Sequence, residues 1–191
     1  MTAIASVADG AAPAPAPAPP WAADAAYAAR TLEAEPGSAR LAREFAAATL
    51  RDWGLRERSA DVELVAHEFV VNAMAHGLDP VWSEPPPHPV IVSMFRDGDA
   101  LLCAAFDPGV RRPRPAPHSA EPSTLADAGR GLQLVAAVSD IWGWTLPGPE
   151  GKAVWAAFCS APSLPYSLAD RLTTVAEVFT GSCDPCLVVA A

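Results

Sequence analysis

The chain has few basic residues, few cysteines and no long hydrophobic run. It carries 13 lysines and arginines against 22 aspartates and glutamates in 191 residues, which gives a formal charge of −9. This balance disfavours nucleic acid as a partner, because binding to phosphates requires a basic face. It equally disfavours attachment to an anionic membrane surface.

The number of cysteines and the length of the hydrophobic runs indicate in which cellular compartment the protein is expected. Four cysteines are too few for a disulfide scaffold at this length, and no apolar run approaches the ~18 residues that span a bilayer. No lysine or arginine precedes Arg30, so the positive start of a secretory signal is missing. We therefore expect a soluble cytoplasmic protein without a membrane partner. The CDPC sequence, Cys183 to Cys186, supplies half a zinc site or a redox pair, and its role stays open.

Proline divides the chain into three parts. Residues 1–35 are rich in alanine and proline, which cannot build a core, and we predict a disordered N-terminal tail. Residues 36–160 are the predicted domain, and residues 161–191 are a predicted C-terminal tail with a short helix at 167–179. Within the domain, residues 108–128 have no periodicity and are predicted to form a functional loop.

Hydrophobic periodicity in the domain predicts a sheet covered by helices. The predicted elements are helices at 38–55 and 59–77, a hairpin over 90–106, a helix at 129–138 and a second hairpin over 141–159. Ser38 and Ser59 are candidate N-caps, and Gly54 is a candidate helix stop. This order is typical of an α+β fold, a two-layer α/β sandwich with a mixed, mainly antiparallel sheet and helices on one face.

The second predicted helix carries two polar groups inside an apolar stripe. At about 100° per residue, Glu68 and Asn72 fall about 40° apart on the helical wheel. Their neighbours on that stripe are Leu64, Val65 and Val71. An amide oxygen can ligate Mg²⁺, and a carboxylate one turn away can polarise a water or a hydroxyl group. The alternative is structural, with Glu68 paired to an arginine and Asn72 hydrogen-bonded within the fold.

The first hairpin ends in Asp107, followed by Pro108 and Gly109. An aspartate at a strand end can accept a hydrogen bond from a ligand amine such as that of adenine. The glycine would let the backbone approach a ligand closely. The alternative is an ordinary turn, in which Asp-Pro-Gly is common.

The third predicted helix opens with Gly129, Arg130, Gly131 and Leu132. Glycines at a helix N-terminus let backbone amides face an anion, and the helix dipole adds to this attraction. Arg130 can reach a phosphate. The alternative is an ordinary helix start, since neither a P-loop nor a dinucleotide-binding βαβ unit matches.

Taken in order, these segments resemble one family. EFVVNAMAHG, FDPG, GRGLQLV, DIWGW and GKAVWAAF are similar to the anti-sigma regulatory factors that carry a serine/threonine-kinase ATP-binding domain of actinobacterial type. That family lies in the superfamily of gyrase, histidine kinase and MutL ATPases. The resemblance covers about residues 36–160 and implies the Bergerat-type ATP-binding fold.

The resemblance implies ATP and Mg²⁺ as cofactors. Glu68 would be the general base or water-positioning residue of phosphoryl transfer, and Asn72 would ligate the Mg²⁺ that bridges the ATP phosphates. Asp107 would bind the adenine amino group, and Gly109 would allow the base to approach.

The resemblance also implies how the phosphates are held and which partners are met. Gly129, Arg130 and Gly131, followed by Leu132, would hold the phosphates, and residues 110–128 would form the ATP lid. The implied reaction phosphorylates a serine or threonine of an anti-sigma-antagonist protein, a sigma factor is the other implied partner, and family members pair as homodimers. The alternative is a nucleotide-dependent module that sequesters a protein with little kinase turnover.

Two residues depart from the family pattern. Arg111 stands where the first glycine box ends in a small residue, which predicts an altered lid hinge. Ala153 is assigned to the position where a threonine near adenine is usual. The lost hydrogen bond predicts about tenfold weaker nucleotide binding.

Overall fold

The computed structural model describes residues 25–77, 90–113, 130–146, 151–159, 165–180 and 187–190. Predictions for the alanine- and proline-rich segment before residue 25, for loop residues 114–128, for Gly129 and for the CDPC sequence lie outside these ranges. Within them the chain forms four α-helices and a six-stranded sheet. The predicted α+β sandwich is confirmed, with a sheet that is antiparallel at every pairing described rather than mixed.

The elements are β1 (Ala25–Leu32), α1 (Ser38–Asp52), α2 (Ser59–Asn72), β2 (Val90–Asp97), β3 (Ala100–Asp107), α3 (Arg130–Val138), β4 (Ile141–Thr145), β5 (Lys152–Phe158), α4 (Tyr166–Thr180) and β6 (Leu187–Val189). A 3₁₀ turn, Arg56–Arg58, joins α1 to α2, and a π-helical turn, Ala73–Gly77, continues α2. The strand order is β1-β2-β3-β5-β4-β6, and every neighbouring pair is antiparallel. Across these ranges no helix has the length and apolar character to cross a membrane.

The end of α1 follows the sequence prediction. Gly54 has φ +73°, and its N–H donates to the Arg51 carbonyl at 3.2 Å. The Leu55 N–H donates to the Leu50 carbonyl at 2.9 Å. These two bonds form a Schellman motif, which favours glycine at the left-handed position, so the predicted stop at Gly54 is confirmed.

The two predicted N-caps are wrong. Ser38 and Ser59 are the first residues of α1 and α2, and neither side chain caps its helix. The Ser38 hydroxyl donates to the Glu33 carbonyl at 2.7 Å, and the Ser59 hydroxyl donates to Glu63 at 2.7 Å. Each serine therefore lies one position later than a cap, and its hydroxyl donates to an oxygen instead of accepting from a helix N–H.

One face of the sheet is covered by α1, α2 and α3. Alternate strand residues, including Met94, Cys103 and Ala156, point toward these helices and form what we call the α1–α3 core. In α1 the fully buried apolar positions are Ala42, Ala46 and Leu50, whereas Leu41 and Phe45 are half-buried. Small side chains at the first two positions let α1 pack closely, so alanine forms the inner stripe of this helix.

The other face of the sheet is covered by α4. Its buried apolar residues Leu168, Leu172 and Ala176 recur every fourth position and belong to the same hydrophobic cluster as Phe95 and Trp155 of the strands. We call this second cluster the α4 core. The short helix predicted near residues 167–179 is present, but it packs on the sheet within a segment that we predicted as a tail. The prediction that all helices lie on one face is therefore wrong, because the apolar stripe of α4 covers the second face. β3 is consequently buried at all eight positions.

The first strand also lies in a segment that we predicted as a tail. β1 pairs antiparallel with β2, from Ala25 opposite Asp97 to Leu32 opposite Val90. The Tyr27 ring packs against Phe95 at a centroid distance of 5.0 Å. Alanine has a low strand propensity, so the AAYAARTL sequence shows no strand signal of its own, and pairing with β2 decides its conformation.

Packing of α4 predicts a stability effect. Leu172→Ala should lower the free energy of unfolding by about 2–5 kcal/mol, because Leu172 is fully buried in the α4 core. Val178→Ala on the exposed side of the same helix, where the side chain is 72% exposed, should change it by less than about 0.5 kcal/mol. Urea unfolding of both variants measures this difference. Equal effects would show that α4 does not pack on the sheet.

Candidate nucleotide-binding site

Glu68 and Asn72 lie on the last turns of α2, at the edge of its packed face. The most buried positions of the helix are Val62, Val65, Ala66, Phe69 and Val70. Both polar residues are half-buried, and Val71 is exposed. The packed stripe is therefore rotated from the one that the helical wheel indicated, and both polar side chains border it.

The Asn72 amide has an unsatisfied donor. Its Nδ2 atom is buried and has no hydrogen-bond partner. A buried donor without a partner costs free energy, so such a group calls for a specific explanation. The salt bridges found in the described ranges do not involve Glu68, so the structural alternative of a Glu68–arginine pair is not found there.

Gly131 brings α3 against these two residues. A Cβ atom at Gly131 would collide with Glu68 Oε2 and would lie 3.4 Å from Asn72 Nδ2. Its neighbours in α3 are the exposed Arg130, which is the first residue of the helix, and the buried Leu132, which packs in the α1–α3 core. The structure thus brings the predicted Glu68, Asn72 and Gly131 together, with α3 beginning beside them.

Asp107 lies where the end of α2 meets the end of β3. Its Oδ1 atom accepts a hydrogen bond from the Gly109 N–H at 2.9 Å. A Cβ atom at Gly77 would lie 2.5 Å from Asp107 Oδ1, and one at Gly109 would lie 2.5 Å from Gly77 Cα. Contact this close needs glycine at both positions, so Asp107 and Gly109 come together as predicted, with Gly77 as a third member.

Sequence reasoning missed Lys152, which is paired with Asp107. The Lys152 Nζ atom donates to Asp107 Oδ1 at 2.6 Å and to the Gly109 carbonyl at 3.0 Å, and both charged side chains are buried. Burial raises the pKa of Asp107, and the Lys152 ammonium and the Gly109 N–H act in the opposite direction. The sequence contains one signal that could have indicated this residue, namely that Lys152 is the only lysine of the chain.

The position assigned to Ala153 in the sequence is wrong by one residue. Lys152, not Ala153, lies directly opposite Asp107 in the antiparallel pairing of β3 and β5, while Ala153 lies opposite Phe106. Because side chains alternate between the faces of a sheet, Ala153 points into the α4 core instead. The residue beside the predicted adenine site is therefore a charged donor rather than a methyl group.

The sequence matches a known family over most of this fold. Residues 32–158 match the family model of the histidine kinase-like ATPase domain. The chain belongs to the histidine kinase-like ATPase domain family. A comparison with curated proteins found no match to this sequence.

A histidine kinase-like ATPase domain binds ATP, usually with Mg²⁺, and several features of this site fit that ligand. The Asn72 amide oxygen is a ligand of the type that hydrated Mg²⁺ takes, and its unpartnered Nδ2 can donate to a phosphate oxygen. Because Gly131 has no side chain, the start of α3 can lie directly beside Glu68 and Asn72. In the described ranges, no three acidic, histidine or cysteine side chains cluster as a metal site.

The buried pair predicts a pH-dependent stability. Lys152→Met removes the ammonium, so the pKa of Asp107 rises further above its ordinary value. The folded state then binds a proton more tightly than the unfolded chain, and stability falls as the pH rises above about 4. We expect a cost of about 3–5 kcal/mol at neutral pH that shrinks toward pH 5. Urea unfolding at several pH values measures it, and a cost independent of pH would contradict the assignment.

Close packing at Gly131 predicts a second effect. Gly131→Ala should displace the Glu68 carboxylate, so ATP affinity should fall although alanine favours a helix by about 0.5–1 kcal/mol. Gly37→Ala is the matched control, because its Cβ atom would contact nothing within 4 Å. Titration calorimetry with Mg-ATP compares the two variants. Unchanged affinity in Gly131→Ala would exclude this contact from the nucleotide site.

Proposed function

We propose that this protein is an ATP-dependent serine/threonine protein kinase of the anti-sigma regulatory type. Its substrate would be a serine or threonine hydroxyl of an anti-sigma-antagonist protein. The observation that carries the proposal is the grouping of Glu68, Asn72 and Gly131, where an acceptor carboxylate and an unsatisfied amide border the start of α3. Bound ATP supplies the γ-phosphoryl group.

Each residue has a defined task in this proposal. The Glu68 carboxylate accepts the proton of the attacking hydroxyl and orients it. The Asn72 amide oxygen binds the hydrated Mg²⁺. Arg130 and the first amides of α3 neutralise phosphate charge. Catalysis then rests on positioning and on charge neutralisation, as in other phosphoryl transfers.

The charge of the chain supports a protein partner. A formal charge of −9 disfavours nucleic acid and anionic membranes. The acidic balance suits a partner with a basic docking face, because complementary charge speeds encounter and selects the partner. A sigma factor is the second proposed partner, and a homodimer is the proposed assembly.

A second candidate function is a nucleotide-dependent sequestering module with little turnover. Two observations favour it, namely the exposed Arg111 where the family has a small residue and the ion pair that occupies Asp107 Oδ1. In this case ATP binding would control capture of a partner protein, and Glu68 would not be needed for capture.

A pair of matched variants separates the two candidates. Glu68→Gln should retain ATP binding and lose phosphoryl transfer by about 10²–10⁴-fold, the usual contribution of a general base. Glu63→Gln is the control, because Glu63 lies on the same helix with its carboxylate bonded to Ser59 instead. Transfer from γ-labelled Mg-ATP to candidate antagonist proteins is the measurement, with partner capture scored in parallel.

The outcomes of this experiment distinguish the kinase from the sequestering module. Transfer by the wild type and by Glu63→Gln, but not by Glu68→Gln, supports the kinase. ATP binding and partner capture by all three proteins, with no transfer by any, favours the sequestering module. Asn72→Ala should weaken binding of Mg-ATP more than binding of ATP in EDTA, and equal weakening would remove Asn72 from the Mg²⁺ site.

A further inference from the structure

We propose that Lys152 is a base-recognition residue that, together with Asp107, reads the edge of adenine carrying the amino group and ring nitrogen N1. In this assignment Asp107 accepts from the amino group and Lys152 donates to N1. The inference rests on the proposed binding of ATP, and it names a residue of this chain that gives the site its base specificity.

The geometry around Lys152 leaves one donor for a ligand. Its ammonium has three hydrogens, of which one goes to Asp107 Oδ1 at 2.6 Å and one to the Gly109 carbonyl at 3.0 Å. Within the described residues the third hydrogen has no acceptor. The ammonium is held in place by its other two bonds, so a third bond would cost little further ordering.

The surroundings of Asp107 leave one acceptor beside that donor. Oδ1 is taken by Lys152 and by the Gly109 N–H, and Gly77 packs directly against the same oxygen. No hydrogen bond from the described residues reaches the other carboxylate oxygen, so the proposal assigns that oxygen to the amino group of the ligand. Adenine presents an amino donor next to the N1 acceptor, which is the complementary pattern.

Linking β3, β5 and the Gly109 turn does not by itself require two buried charges. Removing two charges from water costs several kcal/mol per ion, and apolar residues of similar volume are often at least as stabilising. The pair also lies at the strand end where Asp107, Gly109 and Gly77 meet. Its position matches the predicted adenine site, and base recognition gives the buried charge a task.

Ligands altered at one atom test the assignment on the unmodified protein. 1-Deaza-ATP lacks N1, whereas 7-deaza-ATP lacks a nitrogen on the opposite edge and serves as the control. We expect 1-deaza-ATP to bind the wild type about tenfold or more weakly than ATP, the usual effect of losing a hydrogen bond to a charged group. 7-Deaza-ATP should bind nearly as well as ATP. Equal affinity for ATP and 1-deaza-ATP overturns the proposal.

The single lysine allows a direct readout of the residue. Protein labelled with ¹⁵N-lysine has one side-chain ammonium signal, which belongs to Lys152. ATP and 7-deaza-ATP should both shift this signal, and 1-deaza-ATP should leave it close to its position in the free protein. The same shift with all three nucleotides would place Lys152 outside base recognition.

A double variant completes the test. In Lys152→Met combined with Asp107→Leu the ratio of the ATP and 1-deaza-ATP affinities should fall to about one, because neither an ammonium nor a carboxyl group remains to donate to N1. The second substitution also removes the unpaired carboxylate that endangers folding. A tenfold ratio that survives in the double variant overturns the assignment.

Failure of the proposed function remains distinguishable from failure of this inference. If the wild type binds ATP with the expected N1 dependence but transfers no phosphate, the kinase is excluded and the role of Lys152 stands. If phosphate is transferred without N1 dependence, the kinase stands and the role of Lys152 is excluded. If the wild type binds no ATP, both are overturned.

Discussion

A buried ammonium–carboxylate pair holds together the part of the fold on which the site depends. Lys152 at the start of β5 and Asp107 at the end of β3 lie opposite each other, and the ammonium also bonds the Gly109 carbonyl. The close contact of Gly77 with Asp107 then fixes the end of α2 against the same strand end. Two strands, one turn and one helix thus meet at a single charge pair, and Glu68 and Asn72 lie on that helix.

Much of the fold could be predicted from the sequence where local signals were strong. Both of the first helices and the strands of both hairpins lie close to their predicted bounds, because hydrophobic periodicity and turn residues mark them. β1 and the packing of α4 could not be predicted. The alanines of β1 carry little strand propensity, and only pairing with β2 orders them. The residues of α4 show a helical period, but the sequence does not say which face of the sheet they cover.

The candidate site shows a similar limit. Some site residues could be predicted from their sequence motifs, because each is a residue type that is unusual in its segment. These residues are Glu68, Asn72, Asp107, Gly109 and Gly131. Lys152 was overlooked because the residue that faces Asp107 was assigned one position too late in the strand. Side chains alternate with a period of two, so a shift of one residue exchanges the face of the sheet. With this error of one residue, Ala153 was assigned to the position that Lys152 occupies in the structure.

The π-helical turn Ala73–Gly77 has a consequence for how this site tolerates insertions and deletions. Such a turn holds one residue more than an α-helical turn, with i→i+5 in place of i→i+4 bonding. Removing one residue would restore α-helical bonding and rotate everything after it by about 100°. Gly77 would then no longer face Asp107, although Glu68 and Asn72 would keep their places. The length of this segment is therefore as much a part of the site as its chemistry.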